Sequence, residues 1–109
     1  MIRVNVKRDK LGFIWGYSVK GHANYAQEGS DIVCSAVSAV SYTGIGALQE
    51  ILGIESYKTA KGYMDCVIPV DIAEEKKDKV KIILETIVIG FKQIENSYRK
   101  YLTVQDEEV

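Results

Sequence analysis

The sequence has little of the chemistry from which most protein sites are built. Its 109 residues include one histidine, one proline and two cysteines. Cys34 and Cys66 lie far apart in the chain without a CxxC pair, which predicts free thiols rather than a disulfide scaffold or a zinc site. We therefore expect no metal and no cofactor. Any chemistry that needs an imidazole must use His22.

The chain also lacks an excess of charge and a long apolar run. A net charge of -1 gives no general attraction to nucleic acid. The amino terminus, MIRVNVKRDK, alternates charged and apolar residues unlike a signal peptide, and no run approaches the roughly 20 residues that span a bilayer. We expect a cytoplasmic protein that contacts neither nucleic acid nor a membrane directly.

No repeat, low-complexity segment or linker interrupts the chain, and 47% of its residues are apolar. A chain of this length buries roughly two thirds of its unfolded surface when it folds. Residues 1–109 are therefore predicted to form a single compact domain.

Two segments with a period of two open the chain and predict a β-hairpin joined at RDKLG. The residues that share a face are Ile2, Val4 and Val6 in the first segment, and Phe13, Trp15, Tyr17 and Val19 in the second. His22 stands where the second strand ends. A second hairpin is predicted in SYKTAKGYMDCVIPV, with a tight turn at Lys61 and Gly62.

Helical spacing follows each hairpin. The first helix is predicted to begin with Ser30 as its N-cap and Asp31 in its first turn, and to run about 20 residues, with Gly44 and Gly46 permitting close packing. The second helix is predicted from Asp71. Its stripe of Val80, Leu84, Ile87, Phe91 and Ile94 is broadened by Ile82, Val88 and Ile89, which suggests a self-association surface. RKYLTVQD is predicted to close the sheet, with a frayed EEV end. The fold class is α+β, in the order ββαββαβ, with a mostly antiparallel sheet packed against two helices.

The histidine and one cysteine fall in a single stretch, GHANYAQEGSDIVCSAVS. Cys34, in the first turn of a helix, meets unpaired backbone N–H groups and the positive end of the dipole, which favour a thiolate. A histidine within reach can hold that thiolate as an ion pair and pass a proton to a leaving amine. The first-turn amides are candidates for an oxyanion hole. The non-catalytic alternative is that Cys34 is a small buried residue of the core and His22 an ordinary surface residue.

The residues around this pair suggest supporting roles. Gly21 and Gly29 bracket a small, polar segment suited to a mobile loop and are its candidate hinges. Asp31 and Ser38 are the nearest candidates for an orienting role. Each also has a purely structural interpretation. Asp31 would only interact with the helix dipole, and the Ser38 hydroxyl would only donate to a carbonyl of its own helix. Cys66, in a strand, is predicted to pack in the core, and Gly62 to serve the turn alone.

The stretch from Gly21 to Ser38 resembles the signature of the ribosomal-processing cysteine protease (Prp) family, with its G-H-A, a glycine, and D-I-V-C followed by small residues and serine. The resemblance implies that Cys34 is the nucleophile, that His22 is its partner, and that Asp31 and Ser38 lie near the site. It also implies a substrate. Such enzymes remove a short N-terminal extension from a bacterial large-subunit ribosomal protein, number twenty-seven, cutting between an aromatic and a small residue through a thioester.

The same resemblance implies that the protein forms a homodimer. It also implies that its binding partner is the extended ribosomal protein precursor. The competing interpretation is a non-enzymatic binding module for ribosome assembly, in which Cys34 would be unreactive. A redox-sensing thiol is a third possibility, although it requires a resolving cysteine nearby and Cys66 lies in a separate hairpin.

Overall fold

The computed structural model describes all residues from 1 to 109. Five strands and two long helices follow one another in the order ββαββαβ. Their bounds are β1 Ile2–Arg8, β2 Ile14–Lys20, α1 Ile32–Leu52, β3 Tyr57–Ala60, β4 Tyr63–Val67, α2 Lys77–Ser97 and β5 Leu102–Glu108. The α+β class and the element order are confirmed.

The strands form one sheet in the order β3-β4-β2-β1-β5. Three neighbouring pairs are antiparallel, whereas β5 runs parallel to β1, so the sheet is mixed but mostly antiparallel. Both helices cover the same face. The buried ring of Tyr17 shows this, because its hydroxyl donates to the α1 carbonyl of Ser41 at 2.6 Å and its ring meets Phe91 of α2 edge-on.

A β-bulge changes which residues of β2 face the core. Lys7 pairs with Gly16, but Arg8 pairs with Ile14, so Trp15 has no partner in the register. Ile14 and Tyr17 therefore point into the core, at 1% and 0% exposure. The predicted alternation of Phe13, Trp15 and Tyr17 breaks at this bulge, because strict alternation does not anticipate an extra residue; Phe13 and Trp15 pack against the core but stay only partly buried.

Helix α1 is the core helix of the domain. Val33, Val37 and Leu48 are each at most 2% exposed. This 21-residue helix has a mean hydropathy of 1.4 in its most apolar window, so by length and composition alone it could span a membrane. This differs from the sequence-based expectation that the chain has no apolar run of that length. Its N-cap is Asp31 and not Ser30.

Two other boundaries differ from prediction. A short 3₁₀ turn, Glu74–Lys76, precedes α2, which begins at Lys77 rather than Asp71. Strand β5 continues through Glu108, and Val109 donates its N–H to Arg8, so the chain end is paired rather than frayed. Of the three residues predicted to broaden the apolar stripe of α2, Val88 is buried, whereas Ile82 and Ile89 are 67% and 58% exposed. The predicted self-association surface on α2 is therefore reduced to Ile82 and Ile89.

Glycine at position 44 makes room for Tyr17. A Cβ built on Gly44 would collide with the Tyr17 hydroxyl, whereas one built on Gly46 meets nothing within 4 Å. We expect Gly44→Ala to destabilise the protein by about 1–3 kcal/mol through overpacking. Gly46→Ala, the matched control, should stabilise it by up to about 1 kcal/mol through helix propensity. Urea denaturation checks both. Equal effects would contradict the packing account.

Candidate active site

The histidine and the cysteine of the predicted pair border the same cavity. It has a volume of about 190 Å³ and lies between the start of α1, the end of β2 and the β3–β4 turn. Its walls are mainly apolar: Ile2, Val19, Val37, Ala60, Tyr63 and Met64 are among the lining residues. A second, more polar depression of about 540 Å³ shares His22, Cys34 and Ser38 with it. The structure thus brings those three residues to one place.

Cys34 is the third residue of α1 and is half-buried. The Ala23 N–H donates to its Sγ at 3.4 Å. Ala23 is itself buried, at 3% exposure, so the chain just after His22 folds back against the cysteine. The sequence showed no signal for this contact, because it joins a loop amide to a side chain across a turn of irregular backbone.

His22 follows β2 and its side chain is exposed. Its imidazole lies against Gly62, where a built Cβ would come within 3.0 Å of Nε2. Gly62 also has a left-handed φ of 70° and accepts a hydrogen bond from Gly21 N–H at 2.9 Å. The prediction that Gly62 serves only the turn was therefore wrong, since this residue also leaves room for the imidazole.

Asp31 clamps two segments together. Its Oδ1 accepts the N–H groups of Val33 and Cys34 at 2.9 and 3.0 Å. Its Oδ2 accepts those of Tyr25 and Ala26 at 2.9 and 3.2 Å. Burial of the carboxyl acts to raise its pKa, but these hydrogen bonds outweigh that and hold the pKa below its ordinary value.

This arrangement corrects two expectations. The hydrogen bonds of the Asp31 carboxylate go to backbone N–H groups and not to His22, so Asp31 does not orient the imidazole. The amides of Val33 and Cys34 are already engaged by Asp31, and that of Ser35 bonds the Asp31 carbonyl. These first-turn donors therefore do not form an open oxyanion hole, and Ala23 N–H is the amide directed at the sulfur.

Ser38 lies one turn after Cys34 and is exposed. It lines both the apolar cavity and the polar depression. The hydroxyls of Ser41 and Thr43 bond back to helix carbonyls, but that of Ser38 makes no such bond. The Ser38 hydroxyl is therefore available to a ligand in the site.

The segment between the pair is more firmly held than its composition suggested. Gly21 and Gly29 both have left-handed φ angles, 95° and 89°. Between them the Tyr25 ring packs edge-on against Tyr98 and Tyr101, with centroids 5.7 and 5.0 Å away. These contacts anchor the first half of the loop, which the sequence had left unattached. Loop mobility, and the hinge roles of the two glycines, stay predictions.

The remaining chemistry near the site is limited. Cys66 is 2% exposed, and burial raises the pKa of its thiol to about 12, in keeping with its predicted place in the core. No group of three His, Cys, Asp or Glu side chains is arranged to hold a metal ion.

The lowered pKa of Asp31 gives stability a defined pH dependence. Because the carboxylate is favoured in the folded state, its contribution is fully present above about pH 4, the ordinary value of an aspartate, and is lost as pH falls through the lower folded pKa. Asp31→Asn should lower the thermal midpoint by several degrees at neutral pH and flatten its decline below pH 4. Calorimetry from pH 2 to 7 checks this. A variant with the parent's acid profile would show that the clamp carries no charge-dependent stability.

Relatives of known type match nearly the whole chain. The family model described as "Cysteine protease Prp" matches residues 1–103. A curated relative from Bacillus subtilis, "Ribosomal processing cysteine protease Prp", is 28% identical over 107 residues, covering 95% of this chain and 96% of the relative. The relative of that name from Staphylococcus aureus strain Mu50 is 28% identical, covering 92% and 93%.

Solved structures share the fold. SMU.848 from Streptococcus mutans superposes with a TM-score of 0.81 at 25% identity, covering 100% of this chain and 96% of that one. The Staphylococcus aureus protease Prp, solved with a substrate peptide, gives 0.82 at 21% identity, covering 98% and 100%. Because the family model matches residues 1–103 of the 109, and because a cysteine and a histidine line one cavity, this chain belongs to the Prp family of cysteine proteases.

Proposed function

We propose that this protein is an endopeptidase that removes the N-terminal extension of the large-subunit ribosomal protein number twenty-seven of its host. The cut falls between an aromatic and a small residue. The observation that carries the proposal is the shared cavity of His22 and Cys34, with the sulfur accepting a buried amide. The substrate class is supported by relatives named as ribosomal processing proteases.

The first chemical step is formation of a thioester. The Cys34 thiolate attacks the carbonyl carbon of the aromatic residue, forming a C–S bond and moving an electron pair onto the carbonyl oxygen. That oxyanion collapses, the C–N bond breaks, and the His22 imidazolium gives its proton to the departing amine. The extension is then held on Cys34 as an acyl group.

The second step returns the enzyme. His22, now neutral, takes a proton from water, which attacks the thioester carbonyl. The C–S bond breaks, the extension leaves as a carboxylic acid, and the thiolate and imidazolium are restored. The balance requires only water, and no group beyond the protein's own side chains.

Ala23 N–H donates to the Cys34 sulfur before attack; once the C–S bond forms, that sulfur is a weak acceptor, and the amide is free to stabilise the oxyanion in both steps. This amide already points at the sulfur, beside which the carbonyl oxygen must lie during attack. Asp31 keeps the amide in place by fixing the next residues of the loop to the start of α1. Ser38 adds a hydroxyl to the wall of the site. Asp31 is therefore a positioning residue.

The apolar cavity is the pocket for the aromatic residue. Drug-sized ligand pockets measure about 300–1,000 Å³. At about 190 Å³ this one suits a single side chain. Tyr42, Tyr63 and Met64 offer the ring and thioether surfaces that aromatic side chains favour. The polar depression beyond His22 receives the small residue of the leaving side.

The protein acts in the cytoplasm as a homodimer. The exposed isoleucines of α2, Ile82 and Ile89, supply the apolar surface for that contact. They lie together with Thr86 along a shallow groove of α2.

Substitution of the pair tests the chemistry. Cys34→Ala should abolish cleavage of a peptide spanning the extension junction and leave the thermal midpoint within a few degrees, because the thiol is half-buried. His22→Ala should lower turnover at least about 100-fold. Fragments are quantified by mass spectrometry.

Cys66→Ala is the control for both. It should cost stability, since the thiol is buried, while the folded protein keeps its turnover. Full activity in Cys34→Ala would end the protease mechanism at this cysteine. A folded parent protein that binds the junction peptide without cutting it would favour the non-enzymatic binding module.

The aromatic anchor of the loop gives a further prediction. Tyr25→Ala removes two edge-on ring contacts, each worth about 0.5–1.5 kcal/mol, and should lower kcat/KM about tenfold by loosening Ala23. Tyr25→Phe keeps the rings and should retain most of the activity. Steady-state kinetics with the junction peptide compare them. If both variants behave alike, the ring contacts do not position the loop.

A further inference from the structure

Strand β3 forms an open edge of the sheet beside the active site. All four of its residues are exposed. Tyr57 and Thr59 pair with Cys66 and Met64, which are buried on the helix-covered face at 2% and 5% exposure. The face of the sheet that bears Tyr57 and Thr59 therefore extends beyond the cover of α1, leaving a shelf along β3.

The hydrogen-bond register shows which β3 groups are free. Val67 N–H donates to the Ser56 carbonyl at 3.0 Å, so Ser56 and Val67 are a hydrogen-bonded pair. In an antiparallel ladder such pairs alternate, so Lys58 and Ala60 also direct their amides and carbonyls at β4. The N–H and C=O groups of Tyr57 and Thr59 must point outward, where no strand follows.

The opposite edge of the sheet is protected. On β5, the Val104 N–H is taken by the Glu95 carboxylate of α2 at 2.6 Å. Asp106, Glu107 and Glu108 add charge along the same strand, which discourages pairing with another chain. On β3, Lys58 is the only charged residue. The two edges are therefore unequal, and the open one lies next to the site.

The β3 edge leads to the nucleophile. The strand runs toward the turn at Lys61 and Gly62, and Ala60, Gly62 and Tyr63 line the apolar cavity with Cys34. With the aromatic residue in that cavity and the leaving side in the polar depression, as proposed above, the preceding residues lie on the β3 side. The preceding residues then run in the same direction as β3.

We propose that the residues before the scissile bond bind in extended form along the outer edge of β3, parallel to it, as a sixth strand that pairs with the main chain of Tyr57 and Thr59. This inference rests on the proposed function, since it takes the extension as the bound segment. Main-chain pairing supplies affinity that does not depend on sequence, while the cavity supplies selection for the aromatic residue.

Hydrogen exchange tests the pairing with an internal control. The Cys34→Ala protein is measured alone and with the uncleaved junction peptide. The amides of Tyr57 and Thr59 should exchange quickly in the free protein and at least about tenfold more slowly with peptide, whereas those of Lys58 and Ala60 should be protected in both states. Unchanged exchange at Tyr57 and Thr59, with peptide bound at the cavity, would overturn the proposal.

Backbone substitutions test it in turnover. Thr59→Pro removes one outward N–H, and an outward position of an edge strand tolerates proline, so KM should rise at least about tenfold with little change in kcat. Thr59→Ala keeps the N–H, so its KM should stay close to that of the parent protein. Melting curves confirm that both variants fold. Equal KM values for the two variants would contradict edge pairing.

Single N-methylation of the junction peptide separates this proposal from the proposed function. Methylation before the cut should lower kcat/KM at alternate positions only. If the unmodified peptide is cleaved but no alternation occurs, edge pairing is wrong and the protease function stands. If alternation appears only after the cut, the leaving side occupies β3. If the unmodified peptide is not cleaved, the proposed function fails and this inference fails with it.

Discussion

The site depends on one carboxylate that holds two pieces of chain together. Asp31 caps α1 with one oxygen and fixes Tyr25 and Ala26 with the other. This clamp ties the loop after His22 to the helix that carries Cys34, and so sets the amide of Ala23 against the sulfur. Removing the carboxylate would release four backbone donors at once, two of them in the helix and two in the loop.

The rest of the fold makes that clamp possible. Strand β2 ends at Lys20, just before His22, and the neighbouring β3–β4 turn brings Gly62 under the imidazole. Helix α1 is fixed over the sheet by buried contacts such as those of Gly44 with Tyr17, so its first turn has a defined height above the cavity. The sheet then leaves one edge uncovered beside the cavity, while the far edge is closed by Glu95. The candidate active site therefore lies at the side of the sheet where the edge strand β3 is not covered by a helix.

Much of the fold was readable from local pattern, because alternation and helical spacing directly report which side of an element is buried. The failures had identifiable causes. Ser30 and Asp31 are both residue types that favour the N-cap position. The loop amides of Tyr25 and Ala26, which donate to the Asp31 carboxylate, favour Asp31 in the folded protein. The bulge at Trp15 shifts the register in a way that no composition shows. At the site, the signature around His22 and Cys34 singled out two residues that line the same cavity. The roles of Ala23, Gly62 and Tyr25 come from long-range contacts, such as that of Tyr25 with Tyr98 and Tyr101, which spacing along the chain cannot show.

The central claim is that the half-buried thiol of Cys34, and not the core thiol of Cys66, attacks the bond at the end of the extension. A peptide with the extension sequence and a C-terminal chloromethyl ketone places an electrophile where the scissile carbonyl would be. Intact-mass measurement and peptide mapping locate the adduct while residual cleavage is followed. The account predicts one adduct per chain, on Cys34, with activity lost in proportion and labelling slowed by excess junction peptide, which competes for the site. An adduct on Cys66, or continued cleavage by protein fully labelled at Cys34, would contradict it.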